Sequence, residues 1–257
     1  VVVNGMYQES VAMTSQGLNS KHVTLPPGSK KVEFVNGLQT RPNTGLPPLG
    51  SFFVGVTAAD ANLTPVIDPI GSRILFYGDS ITAGGNADVP TEESYPMLIR
   101  ADHPASVAVE AYGWRAMKLD AVDAGARADF VAKVAAYAPS TFWLAIGTND
   151  FGLNYWSAAD FGAAYGALLD ALHSAMPSLV IYAQTPITRD SGSPNLFGDY
   201  LADYRTAIAT AQATRTAFVT LIDGTSFITL SDLADGVHPT TAGHLVYANY
   251  VRGVLGL

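Results

Sequence analysis

The alternation of apolar and polar positions changes texture once along the chain, near residue 70. Before that point the apolar runs are short: VVVNGMY, SVAMT, KHVTL, KKVEFV and SFFVGVT, each bounded by Gly, Pro, Asn or Ser. No helical period accompanies them, so they read as β-strands. Five or six such strands predict a small jelly-roll-like β-sandwich over residues 1–70, and because the first strand opens on residue 1, whether the sandwich is whole stays open. The Pro- and Gly-rich stretch RPNTGLPPLG reads as a loop inside this module, and IDPIGS, Ile67 to Ser72, as the linker that ends it.

From Arg73 onward, short apolar runs alternate with segments of i, i+3, i+4 apolar spacing. The runs predict strands at Ile74–Tyr77, Val107–Ala111, Thr141–Ile146, Leu179–Ala183 and Phe218–Ile222. The clearest helix follows Trp156: Ser157 and Asp160 form a capping pair, Phe161, Tyr165, Leu168 and Leu172 make one stripe, and Pro177 follows its end. Further helices are expected from about Asp199 to Thr216 and from Thr241 to about Leu255. Strands alternating with helices mean βαβ units, hence a parallel sheet in an α/β domain over residues 71–257.

Composition narrows what such a chain can do. With 48% hydrophobic residues in 257, there is enough apolar material for a sizeable core. The net charge of −8 and the absence of any basic run longer than Lys30-Lys31 argue against nucleic acid and anionic membrane as partners. No apolar run approaches the roughly 18 residues needed to span a bilayer. The chain begins at Val1 with no visible leader, so a mature or trimmed product is expected, and secretion is compatible with it. Zero cysteines exclude disulfides, thiolate catalysis and Cys-based zinc sites. Oligomeric state is not legible.

Candidate chemistry sits at strand ends. ILFYGDSITAGG carries a buried strand into a tight turn that presents Ser80; taken alone, Ser80 could equally be the N-cap of a following helix. A second strand ends at Gly113 in AVEAYGWRA, and a third at Gly147 in WLAIGTNDFG, just before Asn149. In an open parallel sheet these ends share the carboxyl edge, where ligands bind. The N–H groups of Ser80 and Gly113 with the Asn149 amide could therefore stabilise the oxyanion of an ester's tetrahedral intermediate, although Gly and Asn also serve ordinary turns. The stretch ADGVHPTTAGH, between the last strand and the final helix, spaces Asp235 and His238 three apart, so one loop can bring an imidazole to Ser80 with a carboxylate behind it. Asp232 is the rival carboxylate. His22, His103, His173 and His244 form no ligand cluster, and Asp79 and Asp150 read as turn braces.

Together the GDS, YGW, GTND and DGVHP stretches resemble the SGNH hydrolases, the GDSL esterase and lipase family, across Arg73 to the C-terminus. The resemblance implies a flavodoxin-like three-layer α/β/α domain, a Ser80-His238-Asp235 triad, an oxyanion hole from Ser80, Gly113 and Asn149, and no metal or cofactor. Ile81 stands where the family name has Leu, an apolar swap. The preceding β-module is similar in order and texture to that of two-domain carbohydrate acetyl esterases. Trp114, Phe151, Tyr155 and Trp156, next to the expected oxyanion hole, are candidates for a stacking platform under a sugar or aryl group, the alternative being that they seal the core. The expected activity is hydrolysis of short acyl esters, chiefly acetyl on carbohydrate. A lipase or arylesterase and a non-catalytic carbohydrate-binding protein are the alternatives.

Overall fold

A computed structural model describes residues 2–3, 6–7, 32–33, 73–103, 106–190 and 192–257. Three short strands, β1 (Val2–Val3), β2 (Met6–Tyr7) and β3 (Val32–Glu33), pair antiparallel in the order β2-β1-β3. The rest of the predicted sandwich, its boundary at residue 70 and its linker lie outside the described residues.

The remaining elements alternate as the apolar pattern requires. They are β4 (Ile74–Gly78), α1 (Pro90–Glu93), α2 (Tyr95–Asp102), β5 (Val107–Ala111), α3 (Met117–Asp120), α4 (Ala124–Ala136), β6 (Thr141–Ala145), α5 (Thr148–Gly152), α6 (Ala158–Ala175), β7 (Val180–Gln184), α7 (Leu201–Ala213), β8 (Val219–Ile222) and α8 (Thr241–Leu255). The strands β4 to β8 form one parallel sheet in the order β5-β4-β6-β7-β8.

Side chains alternate across the sheet with period two, which assigns each face its own core. Leu75, Tyr77, Phe142 and Leu144 pack with Phe130 of α4, Phe161, Leu168 and Leu172 of α6, and Tyr204 and Ile208 of α7. Ile74, Phe76 and Trp143 point the other way, onto Tyr95 and Ile99 of α2 and Tyr247 and Val251 of α8. The result is three layers. In α6, Ser157 accepts from the Asp160 N–H as its cap, and Phe161, Tyr165, Leu168 and Leu172 are fully buried. Each such apolar side chain removed from water contributes roughly 1.5–3 kcal/mol.

Strand register brings the candidate residues to one level. Gly78 of β4 lies opposite Ala111 of β5 and Ala145 of β6, so the three strands end together. Ser80, Gly113 and Gly147 each come two residues past those ends. The edge they share is the crevice side of an open parallel sheet.

Candidate active site

Ser80 leaves β4 on a turn closed by the Gly85 N–H donating to the Ser80 carbonyl at 2.7 Å. Its Oγ lies 2.8 Å from His238 Nε2, and His238 Nδ1 lies 2.8 Å from Asp235 Oδ2. The second Asp235 oxygen accepts from the backbone N–H groups of His238, at 2.8 Å, and Val237, at 3.0 Å. Burial pushes the Asp235 carboxyl up, but these hydrogen bonds and the facing imidazole outweigh it and hold the group well below the usual carboxylate range. Asp235 is therefore ionised at neutral pH. Asp232 is used elsewhere: its carboxylate caps a turn by accepting from the N–H and hydroxyl of Thr229. Of the two candidate carboxylates, only Asp235 reaches the imidazole.

The imidazole lies so close to the Ser80 turn that only glycine fits at position 85. A Cβ there would stand 2.7 Å from His238 Cδ2. In the sequence the signal for Gly85 is the doubled glycine of TAGG, which by itself says only that a turn is near, so the residue escapes a reading by motif.

Asn149 enters α5 because Gly147 supplies the helix N-cap at φ 119, a left-handed conformation that costs glycine little. The Asn149 amide donates from Nδ2 to the Arg115 carbonyl at 2.9 Å, leaving its second N–H unspent. Next to it, buried Asp150 accepts from the N–H groups of Met117, at 2.9 Å, and Lys118, at 3.0 Å. Two successive residues of α5 thus clamp the segment after Gly113. Burial raises the Asp150 carboxyl to about 6, and Asp79, whose carboxylate accepts from the Ile81 N–H at 2.9 Å, is raised by burial to about 6 as well.

Gly113 itself is buried in the turn after β5, where the Arg115 N–H donates to the Tyr112 carbonyl. Among the described residues, no backbone oxygen accepts from the N–H of Ser80 or of Gly113. The turn is anchored by Arg115, which is fully buried. Its guanidinium is sandwiched between the Tyr77 and Tyr112 rings, 4.1 and 3.9 Å from their centroids, and pairs with Glu110 and Asp120 at 2.9 and 3.1 Å. Burial pushes the Glu110 carboxyl up, but the Lys133 and Arg115 hydrogen bonds and charges outweigh it and hold the group down at about 2.

The four aromatic candidates for a stacking platform do not stay together. Phe151 and Trp156 are 5% and 9% exposed and belong to the core, Phe151 edge-on against Tyr204 and Trp156 beneath the Lys118 ammonium, so for these two candidates the alternative, that the rings seal the core, holds and the platform reading is corrected. Tyr155 is half-buried. Trp114 is exposed, and holds φ 66, a backbone conformation that is strained for a bulky residue. His103 follows α2, His173 stacks on Phe218, and His244 is buried in α8, where burial lowers it to about 4. Among the described residues, no group of three or more His, Asp or Glu is placed to hold a metal ion.

A serine, imidazole and carboxylate hydrogen-bonded in sequence can generate an alkoxide-like nucleophile at neutral pH. Over residues 76–246, more than half its length, the sequence matches the GDSL-like Lipase/Acylhydrolase family. The chain belongs to that family. It is an SGNH esterase-type hydrolase, a carboxylic ester hydrolase, and this sets aside the non-catalytic alternative. No match was found among curated protein sequences. Among solved structures, this hydrolase is similar to the salicylyl-acyltransferase SsfX3 from a tetracycline biosynthetic pathway, at 17% identity and a TM-score of 0.59. That match covers 72% of this chain and 55% of the acyltransferase, so the hydrolase spans about half the length of that protein. A family two carbohydrate esterase from Clostridium thermocellum is similar at 20% identity, 74% and 65% coverage, and a TM-score of 0.55. An acetyl esterase, solved as the S10A mutant with acetate ion, is similar at 18% identity, 72% and 96% coverage, and a TM-score of 0.55. At these identities the likeness is one of fold. Among the described residues, no helix of the hydrolase is long and apolar enough to cross a membrane.

Proposed function

We propose that the hydrolase is a secreted serine esterase that removes short acyl groups, chiefly acetyl, from carbohydrate esters. The observation that carries the mechanism is the continuous chain Ser80 Oγ to His238 Nε2 to His238 Nδ1 to Asp235 Oδ2, each contact 2.8 Å. Ser80 Oγ attacks the ester carbonyl while His238 Nε2 takes its proton, and Asp235 holds the imidazole in the tautomer that leaves Nε2 free to accept. The oxyanion is met by the N–H groups of Ser80 and Gly113 and the unspent N–H of Asn149. Collapse expels the alcohol, protonated by His238, and leaves an acyl-Ser80 ester. Water, deprotonated by His238, then releases the acid.

The preference for acetylated carbohydrate draws on the exposed indole of Trp114, suited to the apolar face of a sugar. The fold-level likeness to a carbohydrate esterase and an acetyl esterase points the same way. One observation favours the lipid or aryl ester reading: Leu196 and Phe197, 86% and 52% exposed, come directly after Asn195, which lines a cleft of about 390 Å³. A panel of para-nitrophenyl esters with acetylated xylan and acetylated glucose separates the two. Rates that fall steeply beyond butyrate, with acetate released from the sugars, support the proposal. Preference for octanoate with no acetate release overturns it. Ser80→Ala should lower turnover by about six orders of magnitude and abolish labelling by a serine-reactive phosphonate. A folded Ser80→Ala protein that keeps a tenth of wild-type activity would refute the mechanism.

A further inference from the structure

We propose that Arg189 binds a carboxylate carried by the ester substrate, in a cleft between the Asn149 helix and the segment of Arg189 and Asp190, which is hydrogen-bonded to the loop that holds Asp235 and His238. The inference deepens the esterase reading and rests on it.

The cleft has a volume of about 390 Å³ and includes Phe151, Gly152, Arg189, Asp190 and Asn195 in its lining. One wall is α5, which opens with the residues around Asn149. The opposite wall is tied to the triad loop, because the Asp190 N–H donates to the Gly236 carbonyl at 2.7 Å, between Asp235 and His238. The cleft thus adjoins the triad through its two walls, while Ser80, Asp235 and His238 themselves are not part of its lining.

Arg189 combines a place in the lining of this cleft with a buried Nε that has no hydrogen-bond partner. Arg115, Arg215 and Arg252 pair with carboxylates, and Arg205 donates to the carbonyls of Pro186 and Ile187. No oxygen among the described residues accepts from the half-buried Arg189 guanidinium, and its Nε is buried without a partner. An unpaired guanidinium withdrawn from water is costly, and a planar anion that takes two of its N–H groups at once is the ligand best matched to it. The fold also makes room for the group. A Cβ at Gly152 would stand 3.0 Å from Arg189 Nη1, and the guanidinium carbon lies 5.6 Å from the centre of the Phe151 ring.

The two asparagines at the cleft are already bonded. Asn154 Oδ1 accepts from the Leu196 N–H, and Asn195 Nδ2 donates to the Tyr204 hydroxyl. The charges facing Arg189 are the carboxyls of Asp79, Asp235 and Asp190. None is within ion-pair distance of it among the described residues, and together they repel a doubly charged phosphate about twice as strongly as a singly charged carboxylate. That carboxylate could belong to the alcohol half, as in an acetylated uronic acid, or to the acyl half, as in a dicarboxylic monoester.

Two matched pairs test the proposal and separate the sources: acetylated glucuronic acid against its methyl uronate, and mono-para-nitrophenyl succinate against its methyl ester, with spontaneous hydrolysis subtracted. The readout is selectivity, kcat/KM for the acid divided by that for its methyl ester. In Arg189→Gln, selectivity should fall about tenfold to a hundredfold in one pair, chiefly through KM for the acid, with Arg189→Lys intermediate. A fall of less than about fivefold in both pairs overturns the proposal. Should Arg189→Gln fail to fold by circular dichroism, the wild-type enzyme serves: its selectivity should drop as sodium chloride is added, and salt-independent selectivity in both pairs overturns the proposal. Wild-type protein that cleaves none of the four esters would instead strike the esterase reading itself.

Discussion

Asn149→Ala separates catalysis from stability at one residue. The substitution removes an amide whose one N–H is bonded to the Arg115 carbonyl at 2.9 Å and whose other N–H is assigned to the oxyanion. The first loss is a single, partly buried hydrogen bond, with a net contribution of about 0.5–1.5 kcal/mol to stability. The second is an oxyanion donor, and losing one raises the barrier by about 2.7–4 kcal/mol, or about 10²–10³ in kcat. Because charge develops on the oxygen only as the tetrahedral intermediate forms, KM should hardly move. Asn149→Asp makes a sharper control. It conserves size but presents lone pairs to both the Arg115 carbonyl and the developing oxyanion, so it should fall below Asn149→Ala. Para-nitrophenol release from the acetate ester gives kcat and KM, and urea unfolding gives stability. A folded Asn149→Ala enzyme with kcat within about threefold of wild type would refute the oxyanion assignment, as would an Asn149→Asp enzyme more active than it.

Other perturbations probe the rest of the site. Asp235→Asn cannot accept both the backbone and the ring N–H bonds that Asp235 now takes, and should lose about 10⁴-fold in kcat, less than Ser80→Ala; equal activity to wild type would move the orienting role elsewhere. Gly85→Ala drives a methyl into the imidazole, so kcat should fall about a hundredfold with the fold retained, and an unchanged kcat would show that the imidazole has slack. Asp79 predicts a pH effect on stability. Its folded-state value, raised by burial to about 6, lies above the unfolded value, so its contribution is fully present below about pH 3.8 and lost as pH rises through about 6. The loss approaches about 3 kcal/mol, and Asp79→Asn should remove that slope. Parallel stability curves for wild type and Asp79→Asn between about pH 4 and 7 would contradict it.

Local pattern was sufficient for the five strands of the parallel sheet and for α6, α7 and α8, but not for the shorter or less periodic helices α1 to α5. Period-two runs and the capped, periodic stripe from Phe161 to Leu172 are properties of neighbouring residues, and a helix or strand buries one face whatever lies far along the chain. The same locality exposed Ser80, Gly113, Asn149 and the Asp235-His238 pair, because each sits in a short turn just past an element's end. Tertiary structure decided what those residues meet. Asp235 rather than Asp232 reaches the imidazole because Asp232 is consumed by the turn at Thr229, a choice that spacing alone leaves open. Phe151 and Trp156 read as platform candidates by their place next to Asn149, yet the path of α5 and α6 turns both rings into the core. The need for glycine at 85 arises only when His238, far away in sequence, folds against the Ser80 turn. Arg189 carried no motif: that its Nε is buried without a partner among the described residues depends on what folds around it, which spacing along the chain does not show.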